Sequence, residues 1–264
     1  MMTLSKSHDA DALGSVLAEI AIEAARLILP LWRSGLTVHA KADESPVTEA
    51  DRRAELLILD RLSKHFPGVA VISEEDASEF GTPQSIGSQF FLVDPLDGTK
   101  AFVRGDPHFT VNIALILDGV PFAGAVVAPP SGEVWRTGRG GALKSLMDSD
   151  TPAWSVRPRP WDANRAVALV SHTMSEESAV ELMTMYGFAS RQPMDSSVKF
   201  CKIAEGSADI YPRRGPTMEW DTAAGHAVLA AAGGRVETPE GMPFLYGKAQ
   251  EGFKNGWFVA RGGD

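Results

Sequence analysis

The segment Asp94-Pro95-Leu96-Asp97-Gly98-Thr99 places two carboxylates three residues apart, with a hydroxyl close behind. Pro95 fixes its own backbone angle and Gly98 permits a sharp bend. Two acids on a stiff proline turn at the end of an apolar run, Phe90-Phe91-Leu92-Val93, can share hard cations, which suggests metal-assisted phosphate chemistry. The same residues also fit an ordinary Asp-Pro turn capping a strand. Three further acids, Asp51, Glu74 and Asp221, also stand at the ends of expected elements. Singly they fit plainer roles: a capping box for Asp51, a solvated loop for Glu74, and helix-dipole support for Asp221. Gathered in one place, five carboxylates repel one another and need cations to offset that. Phosphatases with an aspartyl nucleophile use Asp-x-Asp-Gly-Thr; here two residues separate the acids, and the segment lies deep in the chain. Ser73, Cys201 and the histidines show no base-partner spacing, so no covalent nucleophile is evident.

These acids must be held by the elements around them. Apolar residues Leu13, Val16, Leu17, Ile20, Ala24, Leu27, Ile28 and Leu31 predict an amphipathic helix over 13–32. A second helix is expected over 48–65, capped by Thr48, with Leu56, Leu59 and Leu62 inward. Strands are expected at 69–73 and up to Val93, and antiparallel hairpins at 110–117, 122–128 and 134–137. Loops are expected at 41–47, 79–87, 147–160 and 239–249. The later order is strand (166–170), helix (176–186), helix (198–205), strand (209–211) and helix (222–232). An α+β half (1–147) would carry most of the metal ligands. An α/β half (148–264) would carry Asp221 and the specificity residues.

The 264 residues are 44% hydrophobic and 22% charged, an ordinary globular balance. A net charge of −9 argues against nucleic-acid polymers as partners. The charges Glu19, Glu23 and Arg26 interrupt the first apolar segment, which reads as neither a signal peptide nor a membrane span. A single cysteine, Cys201, excludes an internal disulfide and fits a reducing, cytoplasmic compartment; its apolar setting marks a core residue.

The motifs Glu74-Glu75, Asp94-Pro95-Leu96-Asp97-Gly98-Thr99 and Trp220-Asp221-Thr222-Ala223-Ala224-Gly225 occur in an order that resembles the lithium-sensitive, magnesium-dependent phosphatases of the inositol monophosphatase superfamily. That resemblance implies a layered αβαβα sandwich and two to three Mg²⁺ ions. Glu74, Asp94 and the Leu96 carbonyl would hold one ion, and Asp94, Asp97 and Asp221 a second. A third would lie near Glu74 and Asp51. Thr99, with Glu74, would orient the attacking water, and Asp51 would steer Thr99. Gly98 and Thr99 would border the substrate.

Three further stretches resemble the 3′(2′),5′-bisphosphate nucleotidase branch: 41–51, 195–201 and 211–217. The resemblance assigns nucleotide contacts to His172, Ser196, Lys199 and Arg213. Inositol phosphatases carry an acid near the Arg213 position; an arginine would instead attract a second phosphate. The expected partner is a small phosphate ester, adenosine 3′,5′-bisphosphate ahead of an inositol or sugar phosphate, bound by a monomer or homodimer. A non-catalytic nucleotide or metal sensor is the remaining reading, and the complete ligand set stands against it. His108 and His226 are expected to be structural.

Overall fold

The computed structural model describes residues 9–34, 38–40 and 46–263; of residues 34, 38–40 and 46–48 it describes the backbone alone. The chain opens with α1 (Ala10–Ser34), the short paired strands β1 (Val38–Ala40) and β2 (Pro46–Thr48), and α2 (Glu49–His65). Of the loop expected at 41–47, residues 41–45 lie outside the described residues and 46–47 instead belong to β2, paired with β1; the side chain of Thr48, the expected cap, is also outside them. On α2 the inward positions are Ala50, Ala54, Ile58 and Leu62, spaced by four. Leu56, expected inward, is 70% exposed, because that four-residue row leaves it on the outer face.

Next come β3 (Ala70–Ser73), α3 (Glu74–Phe80), β4 (Gln89–Asp97), α4 (Thr99–Arg104), β5 (Thr110–Leu117), β6 (Val120–Ala128), β7 (Glu133–Gly138), β8 (Gly141–Leu146) and β9 (Trp154–Val156). Strands β3 to β9 form one seven-stranded sheet in sequence order. All its pairings are antiparallel except β3 with β4. The expected hairpins are present. The stretch 147–160, expected as loop, contributes β9, and Glu74 starts a short helix rather than a solvated loop.

The second sheet is built from β10 (Val167–Val170), β11 (Ser190–Pro193), β12 (Ile210–Arg213), β14 (Arg235–Glu237) and β16 (Phe258–Arg261), in the order β11-β10-β12-β16-β14. Helices α5 (Glu176–Tyr186), α6 (Val198–Ala204) and α7 (Glu219–Ala231) accompany it, and β13 (Thr217–Met218) pairs with β15 (Lys254–Asn255). The change from one sheet to the other falls between β9 and β10.

Alternation along β4 explains the layering. Phe91 and Val93 pack into a core with Leu17, Ile20, Ile28 and Ile58 of α1 and α2. Phe90 and Leu92 face the opposite way, into a core with Phe200, Cys201, Ala224 and Val228 of α6 and α7, closed by Tyr211 and Phe258 of the second sheet. A strand covered on both faces reads as a continuous apolar run. Each such side chain contributes about 1.5–3 kcal/mol on burial. Beyond the second sheet, Leu182 of α5 packs on Ala168, Val170, Ile210 and Val259. The order is therefore helices, seven-stranded sheet, helices, five-stranded sheet, helix: the αβαβα sandwich. No described helix is long and apolar enough to cross a membrane.

Candidate active site

The site is set by how β3 and β4 end. They run parallel with Ser73 opposite Val93, so Glu74, where β3 gives way to α3, follows beside Asp94 of β4. In a regular strand Asp94 and Asp97, an odd number of residues apart, would point to opposite faces. Here Asp94 pairs with Asn112 and Asp97 with Thr110, so β4 has two residues between the pairs where β5 has one. That one-residue bulge returns both acids to the same side of the sheet. The expected proline turn is thus a bulge within a longer strand: Pro95, with no N–H to donate, is tolerated where the ladder is already broken. Asp94 Oδ1 accepts the Leu96 N–H at 3.0 Å, and the Thr99 hydroxyl donates to the Leu96 carbonyl at 3.1 Å. Gly98, at φ +95°, makes the left-handed bend that starts α4.

From the other side, α7 brings Asp221 at its third residue. One oxygen, Oδ2, accepts the Met218 N–H at 2.8 Å, so the acid does cap its helix and still has a second oxygen. Asp97 accepts the Ser197 N–H and lies 3.5 Å from Asn112 Nδ2. Ser197 Oγ donates to Asn112 Oδ1 at 2.6 Å and lies 3.0 Å from Thr110 Oγ1. The loop before α6 is thereby tied to the carboxylates of β4. Ser196 in that loop is a non-glycine residue at φ +59°. Its carbonyl accepts from Lys199 Nζ at 2.6 Å, a local constraint of the kind that concentrates at functional sites.

Glu74, Asp97, Gly98, Thr99, His172, Ser196, Lys199, Arg213 and Asp221 all line one cleft of about 420 Å³. Asp51, Asp94 and Leu96 are buried rather than part of its wall. Burial holds the Asp94 carboxyl well above the usual range, and Glu74, Asp97, Asp221 and Asp51 push it the same way. Burial likewise raises Asp221 to about 7, with Asp97 adding to it. Asp97 is raised by burial, although Lys199 and the Ser197 N–H pull it back. Such mutual opposition of buried carboxylates is what a hard cation relieves, and the donors present are all oxygens. Among the described residues, no three His, Cys, Asp or Glu side chains already stand at ligand spacing, as expected of acids that repel one another.

The same cleft also carries cations, Lys199 and Arg213. Burial brings the Lys199 ammonium down to about 8, while Asp97 works to hold it charged. Lys199 Nζ donates to the carbonyls of Met194, at 3.2 Å, and Ser196, and lies 4.7 Å over the Tyr211 ring. Arg213 lies against Gly215; its Nη2 is 3.5 Å from the Pro216 carbonyl, and its buried Nε has no acceptor among the described residues. A buried donor without a partner is costly unless an anion arrives. Sequence reasoning missed Arg104 and Asp195. Asp195 accepts from Arg104 Nη2 at 3.0 Å and lies 3.1 Å from His172 Nδ1, joining the two halves at the rim of the cleft. The available signal was the placement of Arg104 on the short helix that begins at Thr99. Elsewhere, His226 is buried against the Tyr246 hydroxyl at 3.1 Å and pushed down to about 3 by burial, which marks it as structural. Cys201 is fully buried, its thiol raised by burial.

The model of the inositol monophosphatase family matches residues 9–259. The chain belongs to that family. Within it, the chain is 41% identical to the 3′(2′),5′-bisphosphate nucleotidase CysQ of Escherichia coli strain K12, over 84% of this chain and 88% of the relative. It is 36% identical to the nucleotidase of the same name from Buchnera aphidicola, over 92% and 91%. Among solved structures, CysQ from Bacteroides thetaiotaomicron, described as a bacterial member of the inositol monophosphatase family, superposes with a TM-score of 0.75. It is 30% identical, covering 96% of this chain and 98% of the other. The layered fold is thus that of the family.

Proposed function

We propose that this protein is a magnesium-dependent 3′(2′),5′-bisphosphate nucleotidase that converts adenosine 3′,5′-bisphosphate to AMP and phosphate. The observation that carries the reading is one cleft lined both by acids (Glu74, Asp97, Asp221) and by cations (Lys199, Arg213). A substrate with two phosphates needs both sets; a monophosphate needs only the first. The names of the CysQ relatives point the same way.

In this reading Glu74, Asp94, Asp97, Asp221 and the Leu96 carbonyl hold two to three Mg²⁺ ions, which neutralise the scissile phosphate and make bound water easier to deprotonate. The chain's own residues do the rest. Glu74 and Thr99, both lining the cleft, orient the attacking water, and the buried Asp51 steers Thr99. Gly98, at the bend before Thr99, borders the substrate. Arg213, whose side chain lines the cleft, supplies its guanidinium to the second phosphate. Lys199, whose N–H groups are largely committed to carbonyls, acts through charge and by shaping the Ser196 loop. His172, held at Nδ1 by Asp195, presents its other nitrogen towards the nucleoside.

The test is phosphate release with Mg²⁺ from adenosine 3′,5′-bisphosphate and inositol 1-phosphate side by side, with and without lithium. The expected result is strong preference for the bisphosphate and no turnover in EDTA. Preference for inositol 1-phosphate would overturn the substrate, and undiminished turnover in EDTA would overturn the metal.

A further inference from the structure

Away from the cleft, a second cavity of about 220 Å³ is lined by Arg159, Trp161, Tyr186, Asp209, Arg235 and Arg261. None of these residues lines the acidic cleft. In a chain of net charge −9, three guanidinium groups around one hollow are a local reversal of sign. Arg159 is committed: its Nε donates to Asp209 Oδ1 at 2.7 Å and its Nη2 to the other oxygen. Asp209 also accepts the Val167 N–H at 2.6 Å, so this pair is a fixed part of the wall.

The other two arginines differ. Arg235 and Arg261 stand directly opposite one another on β14 and β16. Like charges so placed weaken a strand pair unless something offsets them. Both approach Glu237, Arg235 Nε at 3.2 Å and Arg261 Nη2 at 3.5 Å. Arg261 Nε is buried and has no hydrogen-bond acceptor among the described residues, which leaves its desolvation uncompensated. The rest of the Arg261 side chain is one-third exposed and lines the hollow, and a guanidinium fork suits a tetrahedral oxyanion. Beside it, Trp161 is 40% exposed, and Tyr186 also lines the hollow. Aromatic faces next to arginines accept flat rings.

We propose that this cavity is a second ligand site, for a small phosphorylated or sulfated molecule carrying a flat ring, separate from the catalytic cleft. Arg261 and Arg235 take the oxyanion, and Trp161 with Tyr186 takes the ring. The site does not depend on which ester the cleft hydrolyses.

Indole ¹⁵N spectra of the full chain, in EDTA and without divalent cations, test it, with the Trp161 signal assigned by Trp161→Phe. AMP should move that signal saturably, inorganic phosphate should do so more weakly, and adenosine should not at matched concentration. Arg261→Ala should abolish the AMP response. Glu237→Gln removes the competing carboxylate and should tighten AMP by roughly fourfold, the effect of one unit charge about 5 Å away in water; a merely damaged fold would not bind more tightly. Arg213→Glu, in the cleft, should leave the titration unchanged. The proposal is overturned if neither anion moves the signal, or if the response survives Arg261→Ala. Adenosine matching AMP would remove the oxyanion role, and phosphate matching AMP would remove the ring.

Discussion

Asp94 is the side chain on which the acidic cluster turns. It is buried, and four other carboxylates raise its pKa. Asn has nearly the same shape without the charge, so Asp94→Asn removes a proposed metal ligand while relieving repulsion. Turnover should fall by at least roughly 100-fold, about 2.7 kcal/mol in barrier, while the thermal midpoint in EDTA stays level or rises. A rate near that of the parent would exclude Asp94 from the chemistry. Arg213 tests the cations of the cleft. Arg213→Glu puts an acid where an anion is expected, so kcat/KM on the bisphosphate should fall much further than on inositol 1-phosphate. Equal losses would mean that Arg213 does not discriminate. The sequence offers these residues as candidates because residue type in a dense local motif suggests the proposed roles. Asp195 was not assigned: its partners Arg104 and His172 lie 91 and 23 positions away, and no local pattern marks such a contact.

The elements matter because they aim these side chains. Gly98 sits at φ +95° between the bulge and α4, and a Cβ there would come within 2.8 Å of the His108 carbonyl oxygen. Both the left-handed angle and the contact with backbone oppose a side chain, so Gly98→Ala should destabilise the fold by at least about 1 kcal/mol. It should also displace Thr99, the next residue. The expected outcome is a lower urea midpoint together with a fall in kcat; an unchanged kcat in a folded variant would detach Thr99 from the water-orienting role. Element identity was largely readable: α5 falls where the helical period places it, and β5 and β6 follow from apolar runs around Gly119. The bulge in β4 was not readable as such. Pro95 and Gly98 look alike in a turn and in a bulge, and only the pairing with Asn112 and Thr110 separates the two. Leu56 was misplaced because α2 carries more leucines than its inner face accommodates.

At the scale of the molecule, the acids and cations of the cleft stay in register only if α6 is fixed to the first sheet. A half-buried ion cluster does this. Lys144 of β8 bridges Glu133 at 2.6 Å and Glu205 at 2.7 Å, and Lys202 of α6 lies 3.1 Å from Glu133 and 2.9 Å from Glu205. Trp135, fully buried, donates to Glu205 at 2.9 Å. Burial raises Glu133 and Glu205, but Lys144 and Lys202 more than offset it and leave both below the ordinary value of 4.5. With folded pKa values below the unfolded ones, the unfolded chain binds more protons in between. The cluster therefore stabilises fully above about 4.5 and loses that contribution as pH falls through the lowered values. The cleft carboxylates, raised by burial, act with the opposite sign, so the raw pH profile mixes the two. Comparing the parent with Lys202→Met/Glu205→Gln cancels the cleft, since that pair removes one cation and one anion and leaves Lys144 with Glu133. Urea midpoints measured from neutral pH downward should show the variant less stable than the parent at pH 7, with the gap closing below about 4.5. A gap that stays constant across that range would mean that packing of the two side chains, rather than their charge, ties α6 to the sheet.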